Sequence, residues 1–278
     1  MKNKSISDSA FLVNESRSRR VDISKDIYAC LWINESTNKL WNDFYSEVYT
    51  FDDIQLSLRN RFFLEQLKSF IDKSSDNIFV NIGAGFTSYP FLVSNDCKFI
   101  EIDLPNIINY KKGKIMQFIE DGDLPNRDIT FFSANICNKI DLMKLKESLI
   151  PFLDIKPSFI LLEGITYFLT RQYLNQLFTI LSEIQTSNSI LAFDFWKPEA
   201  AYHPVLKKLM RFFSDRFGFD NKQYHLIDLD FIQNIKGYVL VESTDIQELE
   251  KIYTEDNILS DYNKIIPEYY VILEPSSS

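Results

Sequence analysis

Residues 78–105, IFVNIGAGFTSYPFLVSNDCKFIEIDLP, constrain the fold more than any other stretch of the chain. An apolar run of β type, Ile78 to Ile82, ends in the glycine turn Gly83-Ala84-Gly85. A second run, Lys98 to Ile102, leads into Asp103, 20 residues past Gly83. At that offset a doubly wound sheet presents a carboxylate to a ribose. The glycines let the backbone approach a ligand closely, and the carboxylate accepts from both sugar hydroxyls. The segment therefore reads as a nucleoside site, set against the plainer reading of a tight turn with a solvated acid.

The third position of the glycine pattern narrows the ligand. A dinucleotide fingerprint carries a third glycine for close helix–strand packing, whereas position 88 is Ser. No Lys-Ser/Thr pair follows, as it would in a P-loop. Two glycines give a tight turn without a full pyrophosphate cradle. This favours S-adenosylmethionine, a nucleoside without phosphates, over NAD or ATP.

Composition removes several other classes. The 278 residues are 45% apolar and include 24 Phe and 14 Tyr, with only 7 Gly and 9 Pro. That is ample for a core and unlike a disordered chain. A net charge of −9 disfavours nucleic-acid and anionic-membrane surfaces. Cys30, Cys97 and Cys137 are widely spaced and odd in number, so they read as reduced cytosolic thiols. With His203 and His225 as the whole histidine set, no metal centre is expected. The N-terminus lacks a secretory h-region, and no apolar run is long enough to span a membrane. A cytoplasmic enzyme is the expectation.

The first 20 or so residues are polar and carry no clear element signal. From Ile23 to Phe51 apolar residues recur at helical intervals, and a second helix is expected over 54–72. We read residues 1–75 as a helical extension that closes as a lid, and 76–278 as one globular unit. In that unit strands are expected at 78–82, 98–102, 129–134, 158–164, 189–195, 237–243 and 269–273. Several are continuously apolar, as strands buried on both faces of a parallel sheet must be. Thr170 caps a helix running to Ile184, residues 199–235 read as helical or irregular, and a short helix fills 246–253. Low complexity is confined to the terminal Pro275-Ser-Ser-Ser. The fold class is α/β, a doubly wound and mostly parallel seven-stranded sheet.

A second group of acids falls at strand ends. Asp103, Glu163 (in SFILLEGITYFLT) and Asp194 (in LAFDFW) all close apolar runs, where carboxyl ends of parallel strands line a ligand crevice. With these in view, the chain resembles the leucine carboxyl methyltransferase family over about 200 residues. This is a family of class I, Rossmann-like S-adenosylmethionine-dependent enzymes that includes bacterial polyketide O-methyltransferases. SLRNRFFLEQL (57–67), VNIGAGFTSYPF (80–91), FIEIDLP (99–105) and LLEGITYFLT (161–170) carry the likeness, in the family's order.

The resemblance implies roles. Arg59, and Arg19 on a looser alignment, would bind the methionyl carboxylate, which a guanidinium fork suits. Gly83 and Gly85 would admit the methionyl portion, Asp103 would hold the ribose, and Glu163 would face the ammonium. Asn135 and Ile136 would meet adenine, although the family more often has Asp at the first of these positions. The function implied is O-methylation of a hydroxyl or carboxyl on a small molecule, with carboxyl methylation of a peptide or protein as the alternative. NAD-dependent oxidoreduction would use the same Asp103, but Ser88 and the lack of a Tyr-x-x-x-Lys motif oppose it. Aligning sulfur, methyl and acceptor oxygen is the enzyme's main task. A carboxylate acceptor needs no base, whereas a hydroxyl gains from one. His203, after the fifth strand, is the best-placed candidate. Tyr28, Tyr167 and Tyr202 are candidate pocket residues.

Overall fold

A computed structural model describes residues 8–73, 76–94, 97–153, 156–217 and 224–276. The first seven residues, residues 218–223 after the fifth strand, and the last two serines lie outside the described residues. Seven strands form one sheet: β1 (Asn77–Ile82), β2 (Cys97–Asp103), β3 (Ile129–Ser133), β4 (Ser158–Leu162), β5 (Ile190–Trp196), β6 (Tyr238–Asp245) and β7 (Glu268–Pro275). Their spatial order is β3-β2-β1-β4-β5-β7-β6. The first five are parallel, while β7 runs antiparallel to both β5 and β6. Every expected strand is present, within one to two residues at its ends.

Strand alternation divides the core. Phe79, Phe99, Phe159 and Leu161 point to one face, with α4 (Asp52–Ile71), α9 (Pro204–Phe217) and α11 (Ile246–Tyr253). Ile78, Val80, Ile100 and Ile160 point to the other, against α7 (Lys139–Leu153), α8 (Arg171–Ile184) and α10 (Leu229–Gln233). Every residue of β1, β4 and β5 is buried. Such strands need apolar residues at every position, which is why these runs are continuous and not alternating. The order reverses between β1 and β4, and the carboxyl ends there form the crevice in which open α/β sheets bind ligands.

The N-terminal region departs from expectation at its start. Asp8–Arg19 forms a helix, α1, where the sequence shows no apolar period. The buried face of α1 carries Asn14, Glu15, Ser16 and Arg17 beside Leu12, so its interior contacts are largely polar. The region from Ile23 to Phe51 is broken into α2 (Val21–Ser24), a 3₁₀ turn (Ala29–Trp32) and α3 (Glu35–Glu47). Asn34 caps α3 through a reciprocal capping box with Thr37. α1, α3 and α4 share one hydrophobic cluster with the sheet. Among the described residues no helix is long and apolar enough to cross a membrane.

Candidate active site

Backbone geometry at the end of β1 explains both glycines. Gly83 has φ +73° and Gly85 φ +44°, a region that L side chains adopt at a cost. A Cβ on Gly83 would also lie 2.6 Å from Cγ2 of Ile165, in the loop after β4. The N–H groups of Gly83 and Ala84 donate to the Ile102 carbonyl at 2.8 and 3.0 Å, which ties the turn to β2. The Gly85 N–H donates to Asp103 Oδ2 at 2.8 Å, and the Leu104 N–H to Oδ1 at 2.7 Å. Asp103 is thus oriented by backbone alone, and each oxygen keeps lone-pair capacity for a sugar hydroxyl. Burial raises its pKa, with the two N–H groups pulling the other way. Beneath the turn, buried Lys111 from α6 (Pro105–Glu120) pairs with Glu101 at 2.7 Å and donates to the Ala84 carbonyl at 3.3 Å.

The opposite side of the crevice is a buried ionic cluster. Arg59, on α4, donates from Nε to Glu163 Oε1 at 3.0 Å. Its Nη1 meets both Glu268 Oε1 at 3.2 Å and Asp194 Oδ2 at 3.4 Å. The hydroxyl of Tyr89 donates to Glu163 Oε2 and that of Tyr270 to Glu268 Oε2, each at 2.7 Å. Gly164 N–H donates to Asp194 Oδ1 at 2.6 Å. Burial alone would lower the pKa of Arg59, but Glu268, Asp194 and Glu163 outweigh it and hold the guanidinium charged. Burial pushes Asp194 well above the usual carboxylate range despite Arg59, because Glu268 crowds it.

Arg17 completes the cluster from α1. It is fully buried, donates from Nη2 to Asn14 Oδ1 at 2.5 Å, and lies 3.6 Å from Asp26 and 3.8 Å from Glu163. Its Nε and Nη1 have no hydrogen-bond partner. Buried donors of this kind are costly unless a ligand engages them. The cluster thus sets four carboxyl groups (Asp26, Glu163, Asp194, Glu268) against two guanidinia. It offers unspent donors to an anion and excess negative charge to a cation, the two ends of an amino-acid zwitterion.

The structure brings Arg59, Glu163, Gly83, Gly85 and Asp103 together along one crevice. Arg19 is not among them. It pairs with Glu15 at 3.0 Å and lies over Trp41, its guanidinium carbon 3.7 Å from the ring centroid. Arg17, two residues earlier, occupies the position beside Glu163. Asn135 and Ile136 follow β3 directly, next to the end of β2. Tyr167 is buried, with its ring stacked 4.0 Å from Trp196 and its hydroxyl against Gly164 and Arg59. Tyr28 packs edge-on against Phe91 in a third hydrophobic cluster under α6. Tyr202 is 81% exposed and lines no wall. His203 is buried; its Nε2 donates to the Tyr262 carbonyl at 2.7 Å, and Nδ1 is without a partner.

Sequence reasoning missed Arg17, Asp26, Tyr89 and Glu268, and it noted Asp194 only as a strand end. The signal for Glu268 was topological. Because β7 is antiparallel, its first residue sits beside the last residue of β5, the two paired as Trp196↔Glu268.

Comparisons with known proteins agree with this geometry. No protein of curated function matches the sequence. Among solved structures, a DUF574 family protein from Streptomyces avermitilis is similar at a TM-score of 0.67 and 13% identity, covering 96% of this chain and 97% of its own. A proposed methyltransferase from Thermobifida fusca gives 0.65 and 12%, covering 96% and 94%. Magnesium protoporphyrin IX methyltransferase from Synechocystis, with bound SAH, gives 0.50 and 10%, covering 87% and 96%. At such identities the likeness establishes the fold, that of class I methyltransferases. The model for leucine carboxyl methyltransferase matches residues 15–182, more than half of the chain. The chain therefore belongs to the leucine carboxyl methyltransferase family, whose members are S-adenosylmethionine-dependent methyltransferases.

Proposed function

We propose that the protein binds S-adenosylmethionine in this crevice and methylates an oxygen, hydroxyl or carboxyl, on a small molecule such as a polyketide-type metabolite. One observation carries the reading: unspent Arg17 donors and surplus carboxylates lie across the same crevice from a ribose-type acid on a glycine turn. The cofactor supplies a methyl group already activated on a sulfonium. Arg17 and Arg59 hold the methionyl carboxylate, Glu163 offsets the ammonium, and Asp103 accepts from the ribose hydroxyls. Gly83 and Gly85 keep the passage free of side chains.

The acceptor end is aromatic. Tyr167 stacks on Trp196, and Tyr224 lies 5.9 Å from Trp196 at a 31° tilt. Such surfaces suit a planar acceptor. The acceptor oxygen attacks the methyl carbon as the carbon–sulfur bond breaks and its electron pair returns to sulfur. For a hydroxyl acceptor a proton must leave. With His203 Nε2–H fixed on Tyr262, Nδ1 is the lone pair placed to take it. Helix α1 roofs the turn, with Ala10 Cβ 4.0 Å from the Cβ position of Gly85 and the Phe11 and Phe86 rings 4.7 Å apart. That placement supports the N-terminal helices as a lid.

Two measurements test the reading. Calorimetry with S-adenosylhomocysteine should show saturable one-site binding, and no heat under conditions where the protein is folded would sink it. Metabolite extracts incubated with protein and methyl-labelled cofactor should show a labelled product by mass spectrometry. His203→Gln should then lose turnover of a hydroxyl acceptor while binding S-adenosylhomocysteine as before.

A further inference from the structure

The adenine end of the crevice poses a problem that Asn135 does not solve. The following rests on the cofactor reading above. The methionyl cluster lies at the ends of β4 and β5, and the ribose acid lies at the end of β2. A nucleoside that spans these points extends its base beyond Asp103, over the end of β3. There Ala134 N–H donates to the Asp103 carbonyl at 3.0 Å, and Asn135 and Ile136 come next. Leu104, 43% exposed at the end of β2, offers the base an apolar face.

An adenine edge presents a 6-amino donor beside a ring-nitrogen acceptor. The side-chain oxygen of Asn135 accepts from the Cys137 N–H at 3.1 Å, closing an Asx turn. That bond fixes which end of the amide is oxygen and directs its NH₂ outward. Asn135 can therefore donate to the ring nitrogen, but its oxygen is committed to the turn. The 6-amino group needs an acceptor from elsewhere. Asp141, half-buried in the first turn of α7, is the carboxylate at hand. Its Oδ2 accepts from the Asn135 backbone N–H at 3.4 Å, which draws the carboxylate to the end of β3. No cation lies within ion-pair distance of it among the described residues.

We propose that Asp141, acting through Oδ1, is the specificity residue that accepts from the 6-amino group of the nucleobase. Six positions further on, it replaces the acceptor that the Asx turn has withdrawn from Asn135. Asn135 itself donates to the ring nitrogen and orients Asp141 through its backbone.

The test is a binding cycle with S-adenosylhomocysteine and its analogue that carries hydrogen in place of the 6-amino group. The wild type should prefer the amino ligand by about tenfold or more, the worth of a hydrogen bond to a charged acceptor. Asp141→Ala should lose that preference by weakening the amino ligand alone. Asn135→Ala should weaken both ligands and keep the preference. Equal weakening of both ligands by Asp141→Ala would assign it a structural role and overturn the proposal. So would a wild type without preference, or a preference lost in Asn135→Ala and kept in Asp141→Ala. If the folded wild type bound neither ligand, the cofactor reading would fail and this proposal with it.

Discussion

The two halves of the crevice are built on different principles. The nucleoside half uses the ends of β1, β2 and β3, and its acid Asp103 is held by two backbone N–H groups from residues 85 and 104. The methionyl half gathers Arg17, Arg59, Glu163, Asp194 and Glu268 from across the chain, and Arg59 and Glu268 are separated by 209 positions. Its charges are buried, so each depends on the others for solvation. In the first half a binding group can be removed with little effect on the fold. In the second, binding and folding share the same atoms.

Arg59→Met should show the largest effect. It strands Glu163, Asp194 and Glu268 without their shared guanidinium, and breaking a buried pair of this kind costs about 3–5 kcal/mol. Chemical denaturation would read that loss. Adding Asp194→Asn and Glu268→Gln should restore a large part of it by removing the stranded charges. A single-variant change below about 1 kcal/mol would show that the cluster is less coupled to folding than its geometry implies.

The same half should dominate the pH dependence of stability. Asp52, buried beside Ser16 and within reach of the Arg59 field, is raised from 3.8 to about 7, chiefly by burial. The folded state therefore keeps a proton that the unfolded chain has already released between these pH values. Stability is greatest below the unfolded pKa and falls as pH rises towards 7, by an amount on the order of 3–4 kcal/mol for this group. Asp194, also raised by burial, acts in the same direction. Denaturation at pH 5 and pH 8 should show the fall in the wild type and a smaller one in Asp52→Asn. A variant as pH-sensitive as the wild type would place the titration elsewhere.

Asp103→Ala should give the converse result. Losing two charge-assisted acceptors weakens S-adenosylhomocysteine by about 100-fold. Stability should change by less than about 1 kcal/mol, since burial already disfavours the charged form of this acid. Large unfolding in this variant would erase the contrast between the halves.

That contrast also explains what the sequence revealed. Turn glycines, the acid at a fixed offset and the continuous apolar strands act through neighbours along the chain or one strand away, so spacing exposes them. Glu163 was legible for the same reason, closing the apolar run of β4. Arg17, Asp26 and Glu268 have no local signature. Their burial depends on how α1 lies against α4 and on β7 running antiparallel, and neither is written in a period of 2 or 3.6. The interior face of α1 is polar because its partners are carboxylates, so a search for apolar stripes passes over it. Tyr202 illustrates the reverse error, an aromatic residue near the right strand whose side chain the following helix leaves in solvent.

Arg19 gives the smallest effect and the finest test of how α1 is set. Residues two apart on a helix differ by about 200° in direction, so Arg17 and Arg19 cannot both face the crevice. With Arg17 inward, Arg19 is left to Glu15 and the face of Trp41. Its side chain is 30% exposed, so Arg19→Ala should cost about 0.5–1 kcal/mol of stability. Affinity for S-adenosylhomocysteine should stay within about twofold, while Arg17→Met should lose at least about tenfold through the two vacated donors. The reverse pattern would mean that α1 turns by half a revolution when the cofactor binds, carrying Arg19 in and Arg17 out. That rotation would bring Glu15 out of its contact with Thr37, so Thr37→Val would then tighten cofactor binding instead of leaving it unchanged.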